Sequence, residues 1–419
     1  MNAPVQPHAH AQPLPRRHGA DLSTGRRMAG PLRWLIRGDP TPSPAQWQAV
    51  GESLLQGDPA ADALVAWMGE VGMATSKPLF DRAACDGIGQ LDAPPAPLRQ
   101  FFATVETVPA WVDPVRLDAG ARACGLSGLT GMRVLRDFGL MAGYQAAAIN
   151  RTLVMTGALS KGAQKRVAET TKWWIDCTRP GGMAVGAPGY VSTLQVRLIH
   201  ALVRRHLVAR PDWDSTAHGL PINQGDMHAT YLAFSVIFLM GQRLLGVPIT
   251  AAEGADVMHL WRYIGWLMGV DDRWLHHDEQ SGRIALYHNL LAQAPPDATS
   301  RELGRALMDE PLGRHYQRFG WLQGRFNRAR HLSIARTFLG RAGMRALGLP
   351  PTVLPWYPVL TTAPRWLLMQ LLRQLPGGAE RLSQHGLNAQ AAYLPVLFGG
   401  DDPRLRDAVG VEAVPSVEQ

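Results

Sequence analysis

Cysteine is scarce in this chain, with three in 419 residues: Cys85, Cys124 and Cys177. They are too few and too scattered for a disulfide framework, which points to a reducing compartment. Lysine is nearly absent as well, confined to Lys77, Lys161, Lys165 and Lys172. The formal net charge of +8 is therefore carried by dispersed arginine. No basic run is flanked by a recognisable nucleic-acid motif, so nucleic-acid binding is not expected. The Val/Ile/Thr alternation that marks sheets is missing, and a β fold goes with it. No apolar run reaches the roughly eighteen uninterrupted residues that suggest a transmembrane helix. The first thirty residues lack a continuous apolar segment, and Arg16-Arg17 is followed by none. The expectation is no export signal and a cytoplasmic protein, in at most peripheral contact with a membrane. His-Glu-x-x-His, Gly-x-Gly-x-x-Gly, P-loop and Gly-x-Ser-x-Gly patterns are all missing, which removes zinc-protease, dinucleotide, nucleotide and serine-hydrolase readings.

Apolar residues, by contrast, are plentiful. The hydrophobic fraction is 46% and the charged fraction 18%, so much of the chain should be buried. The 13 Trp and 15 Met suit a large interior or a pocket for a flat, apolar ligand. Helical periodicity and caps predict an all-α fold. Pro44 opens the first helix with Ser43 as its cap, and Asp113 caps the helix that Pro114 opens. A long helix is expected over 128–148, with Gly131, Gly139, Ala142 and Gly143 admitting either another helix or a flat cofactor. Others are expected over 163–177, 190–209, 223–246, 251–270, 299–311, 327–346, 363–374 and 378–396. The domain reading is a flexible leader over 1–40, one large helical domain over 41–400 and a polar tail over 401–419.

Chemistry concentrates between residues 166 and 204. Arg166-Val-Ala-Glu169-Thr170 places Arg166 and Thr170 one helical turn apart as two donors. Thirty residues later Val196-Arg197-Leu-Ile-His200-Ala-Leu-Val-Arg204 presents one imidazole from an apolar, arginine-flanked helix. Such a histidine is either a hydrogen-bonded core residue or a metal or haem ligand. Arg166 and Thr170 are either ligand donors or a surface arginine and a threonine bonded back to its own helix. His228 either lines a pocket or bonds within the core.

These segments, with Leu220-Pro-Ile-Asn-Gln-Gly-Asp-Met227 and Leu260-Trp-Arg-Tyr-Ile-Gly-Trp-Leu-Met-Gly269, resemble a known family. It comprises the bacterial latex clearing proteins (rubber oxygenases) and the MpaB-type fungal oxygenase that shortens the farnesyl chain in mycophenolic acid synthesis. The resemblance covers roughly residues 60 to 280. It implies a globin-like helical core with additional surrounding helices and a haem b held by His200 as iron ligand. There is no Cys-x-x-Cys-His, so the haem would be non-covalent. It implies Arg166 and Thr170 on the distal side, and dioxygen-dependent cleavage of a carbon–carbon double bond in an isoprenoid or other apolar substrate. Arg197 and Arg204 would either pair with haem propionates or be ion-paired elsewhere. The chain departs from the rubber-cleaving members at two places. Glu169 stands where they carry Lys, and Asn150-Arg151 falls where they carry a Glu proposed as base. Glu169 itself is either a distal base or part of a salt bridge. Two other readings stay open on the residues alone: a non-catalytic haem sensor or store, and a cofactor-free helical binder of apolar ligands.

Overall fold

The helices begin where the chain supplies side-chain acceptors for their free amides. Ser43 and Gln46 form a reciprocal capping box at Pro44–Ser53, and Asp113 accepts from Val115 N at Pro114–Leu126. Asn223 caps Gln224–Leu232, and Thr250 with Glu253 caps Ala251–Leu267. The computed structural model describes residues 13–157 and 162–399. Within them every regular element is helical and no strand occurs, so the fold is all-α. None of the described helices is long and apolar enough to cross a membrane.

Ala251–Leu267 runs through the centre, burying Val257, Met258, Trp261, Tyr263 and Ile264. Trp174 and Trp261 are among the largest fully buried side chains, and burying aromatics of that size dominates core energetics. Pro114–Leu126 lies against Ala251–Leu267 so closely that a Cβ on Gly120 would sit 2.4 Å from the carbonyl oxygen of Asp256. Only glycine permits that approach. A second, smaller cluster gathers Met141, Tyr144, Val167, Leu303, Leu307, Leu332 and Met344.

Two expectations are corrected. Residues 13–40 are not a loose leader. Arg17 makes a two-pronged buried pair with Asp226, both contacts at 2.9 Å, and Leu22–Ala29 packs on Glu279–Ala292. A buried guanidinium on a buried carboxylate anchors the segment where no apolar periodicity announced it. Residues 1–12 and the tail over 401–419 lie outside the described residues. The expected 128–148 helix is also not continuous. It runs Gly128–Val134, widens to a π-helical segment at Leu135–Leu140 and ends at Gly143; a new helix, Ala147–Met155, follows. The 223–246 helix widens in the same way at Ala233–Ile237.

Candidate functional site

The Arg166 helix, Ala163–Cys177, and the His200 helix, Pro188–Val208, form an antiparallel pair. The chain reverses between them through Pro180-Gly181-Gly182 and Gly189, where an added Cβ would lie 2.7 Å from the carbonyl oxygen of Asp176. Two contacts pin the register. Cys177 Sγ meets the carbonyl oxygen of Gly189, and Trp173 Nε1 donates to Thr193 Oγ1 at 3.0 Å. Four residues back along one helix correspond to four forward along the other. The same register carried further puts Thr170 level with Val196, Glu169 with Arg197, and Arg166 with His200.

His200 is half-buried, but its Nδ1 is fully buried and has no hydrogen-bond partner. Burial, with the Arg204 guanidinium nearby, pushes its pKa down to about 4. The ring is therefore neutral near pH 7, the form that ligates a metal. Arg166 Nη1 donates to the Tyr144 hydroxyl at 3.2 Å. Asn150, fully buried, donates to the Tyr144 carbonyl at 2.7 Å and to Ser300 Oγ at 3.2 Å, leaving Oδ1 without a partner. Tyr144 thus joins the two segments and is a site residue the sequence reading did not single out. Glu169 lies 3.8 Å from Lys165 Nζ, one turn away on its own helix.

Beside Ala163–Cys177 lies a cavity of about 750 Å³. That is large enough for a cofactor or a sizeable ligand. Its walls are mainly apolar, with Leu135, Phe138, Phe234, Ile237, Met240 and Phe338, and its polar residues include Thr170, Thr171, Thr230, Asn150 and Asn289. Thr170 is exposed and lines it. Tyr144 borders it too. Arg166, Glu169, His200, Arg197 and Arg204 do not line it; Arg166 reaches its edge through Tyr144. Both π-helical segments line this cavity, and π-helical turns recur at functional sites. Gly139, Ala142 and Gly143 line it, and Gly139 also approaches Ala233 of the second π segment. Met28, Leu32 and Leu35 of the N-terminal segment close another wall.

The two flanking arginines are held elsewhere. Arg197 grips Asp58 through Nε at 2.7 Å and Nη2 at 2.9 Å, and its Nη1 donates to the Leu267 carbonyl at 3.1 Å. Its guanidinium also stands 5.1 Å over the Phe101 ring. Arg204 pairs with Asp62 at 2.8 Å and donates to the Ile222 carbonyl at 2.6 Å, leaving only Nη2 unpartnered. His228 faces His276 at 3.0 Å inside the core. Among the described residues no three His, Cys, Asp or Glu side chains converge as a metal cage. A neutral imidazole with a buried, unpartnered Nδ1 has the chemistry of a single haem ligand, although no residue of Pro188–Val208 lines the cavity. The arginine pairings supply little toward propionates beyond Arg204 Nη2.

The family model described as "ER-bound oxygenase mpaB/B'/Rubber oxygenase, catalytic domain" matches residues 132–374. A rubber oxygenase of Streptomyces sp. (strain K30) is 27% identical over 185 residues, 43% of this chain and 45% of that protein. The match thus spans less than half of that relative's length. A solved structure of a latex clearing protein in the closed state superposes with a TM-score of 0.63 at 19% identity, covering 82% of this chain and 91% of the other. That likeness shows the fold.

Proposed function

This chain belongs to the mpaB/B'/rubber oxygenase catalytic-domain family, and on that premise we propose that it is a haem b-dependent oxygenase. Its substrate would be an isoprenoid or another apolar molecule, cleaved by dioxygen at a carbon–carbon double bond. The observation that supports this reading is the antiparallel pairing of the Arg166 and His200 helices, registered at Trp173–Thr193 and Cys177–Gly189, with the Arg166 helix lining a 750 Å³ apolar cavity.

His200 would be the iron ligand, kept neutral by its burial. The haem, when bound, supplies the activation of dioxygen. This chain's own residues do the rest. The apolar walls exclude water and hold the substrate by burial of its hydrocarbon. Thr170 offers a hydroxyl at the cavity wall, and Tyr144 orients the Arg166 guanidinium. A positive group so held can stabilise negative charge that develops on oxygen. Glu169, in place of Lys, and Asn150, in place of a carboxylate, change the charge available for proton transfer. We therefore assign a short isoprenoid rather than polyisoprene as the preferred substrate, with the protein working in the cytoplasm. Peripheral contact with a membrane is supported by Val359, Leu360, Trp366, Leu367 and Leu371, all exposed on the helix Trp356–Arg373.

The absorption spectrum of freshly purified protein is the first test. A Soret band is expected in the wild type and its loss in His200→Ala, with far-ultraviolet circular dichroism still helical. Equal haem content and an unchanged spectrum in the variant would remove His200 from the iron. Oxygen uptake and carbonyl products from short isoprenoids, compared with latex, test the substrate. Faster cleavage of latex would overturn the preference.

A further inference from the structure

Next to the large cavity the chain gathers more guanidinium than carboxylate, with Arg136 and Arg314 buried and Arg133 and Arg330 part-buried. Arg133 and Arg136 come from Gly128–Val134 and the π segment after it, Arg314 from the turn after Glu310–Gly313, and Arg330 with His331 from Gly320–Ala346. Two carboxylates face them, Asp137 and Glu310, and both are spent. Asp137 takes Arg136 Nη1 at 2.6 Å on one oxygen and faces His331 Nδ1 at 2.6 Å with the other. Glu310 takes Arg314 Nε and Nη2, both at 2.7 Å, and Arg136 Nε at 2.9 Å. Arg314 Nη1 goes to the Tyr393 hydroxyl at 2.9 Å. Among the described residues Arg133 and Arg330 meet no carboxylate. Arg133 donates to the Tyr357 hydroxyl at 3.1 Å, and Arg330 donates to Asn327.

Two polar atoms remain buried with no partner, His331 Nε2 and Arg330 Nε. Both residues border a void of about 30 Å³, whose lining includes Arg133, Arg136, Arg314 and Tyr393. That is room for a water or a small ion. A water would satisfy the orphaned atoms and leave two uncompensated cations at short range in a poorly screened interior. A monatomic anion offsets that charge and accepts from Arg330 Nε. We propose that this void is a binding site for a single halide ion, chloride under ordinary conditions. Arg133 and Arg330 supply the uncompensated charge and Arg330 Nε the buried free donor; His331, kept neutral by burial and the surrounding arginines and donating Nδ1–H to Asp137, borders the void without donating to the ion. Arg136, Met132, Val167 and Thr171 border both this void and the large cavity. The ion therefore ties the 128–140 segment, Glu310 and the 320–346 helix into one wall of that cavity.

The test uses the purified full-length protein with chloride and bromide as probes. Gluconate is replaced by chloride at constant ionic strength, and thermal unfolding is followed. The wild type should gain a few degrees in Tm. The gain should grow with the logarithm of chloride concentration once the site fills, as ligand linkage requires. Arg330→Gln should lose that increment, whatever its baseline Tm. Arg325→Gln, at an exposed position on the same helix, should keep it. A crystal grown in bromide should show an anomalous peak between Arg330, His331 and Tyr393, a readout independent of any variant. A Tm indifferent to the anion, an increment that survives in Arg330→Gln, or a void holding no anomalous scatterer would each overturn the proposal.

Discussion

Two buried charge networks in this molecule follow opposite accounting. On the His200 helix both buried guanidiniums have their own carboxylate, Arg197 with Asp58 and Arg204 with Asp62. Next to the large cavity Arg136 and Arg314 take Asp137 and Glu310, and Arg133 and Arg330 stand beside them with no carboxylate among the described residues. The first network is closed charge for charge, with Arg204 Nη2 its one unpartnered arginine nitrogen, and its arginines fix the His200 helix against Pro59–Val71. The second is open, and its unsatisfied atoms mark a place for something the chain does not itself supply. Burial of arginine alone therefore does not identify a ligand site; the balance of partners does.

The contrast can be broken most violently at Asp58. Asp58→Ala would strand the Arg197 guanidinium in the core and remove the side chain that accepts from Ala61 N at its helix start. Stranding a buried charge costs about 3–5 kcal/mol, and the lost cap about 1 kcal/mol more. Denaturant unfolding should show this, while the double replacement Asp58→Leu with Arg197→Met should cost far less. A small loss in Asp58→Ala would mean the closed network is not structural.

Acid separates the networks next. The folded chain holds His200 and His276 near pKa 4, chiefly by burial, against an ordinary 6.5. Below pH 6.5 the unfolded chain takes up protons that the folded chain refuses. Stability is therefore complete above about 6.5 and falls as pH drops toward about 4. Each such histidine contributes up to about 1.4 kcal/mol per pH unit. Asp137 runs the other way. Burial raises its pKa to about 6, so it favours the fold at low pH and costs stability as pH rises from 3.8 through 6. Stability curves of the wild type and His200→Gln over pH 4–7 should differ in slope; equal slopes would exclude a depressed His200.

A smaller effect is expected at Arg166, which bonds a neutral phenol. Arg166→Ala should slow turnover by about 1–3 kcal/mol, the usual worth of a hydrogen bond to a charged group. Tyr144→Phe should move it in the same direction by about 0.5–1.5 kcal/mol, with haem content unchanged in both. Wild-type turnover in Tyr144→Phe would show that the phenol does not orient the guanidinium. The smallest change belongs to Arg330→Met in chloride-free buffer. Removing a surplus buried cation should leave unfolding stability within about 1 kcal/mol of wild type or raise it. A loss on the Asp58→Ala scale would erase the difference between the two networks.

Helix starts were legible because a capping side chain sits next to the helix it serves, as Ser43, Asp113 and Asn223 do. The segment 166–204 stood out because residue types and spacing survive in one dimension. Tyr144 did not stand out, since its role comes from Arg166 twenty-two positions away and from Asn150 folding back onto its carbonyl. The N-terminal wall was missed for a similar reason. Arg17 finds Asp226 across the fold, and no local pattern marks such a pair.

What this sequence determined by itself is what neighbours along the chain can decide: an all-helical fold, its caps, and the spacing of Arg166, Thr170 and His200. Helical hydrogen bonds and amphipathic periodicity are short-range, so a linear reading reaches them. Tertiary structure alone decided which arginines are spent and which are spare. It also decided where two helices widen into π turns around one cavity, and that residues 13–40 close that cavity. Those outcomes depend on burial and on charges brought together from distant positions, and a charge is stabilised only by the partners packing places beside it.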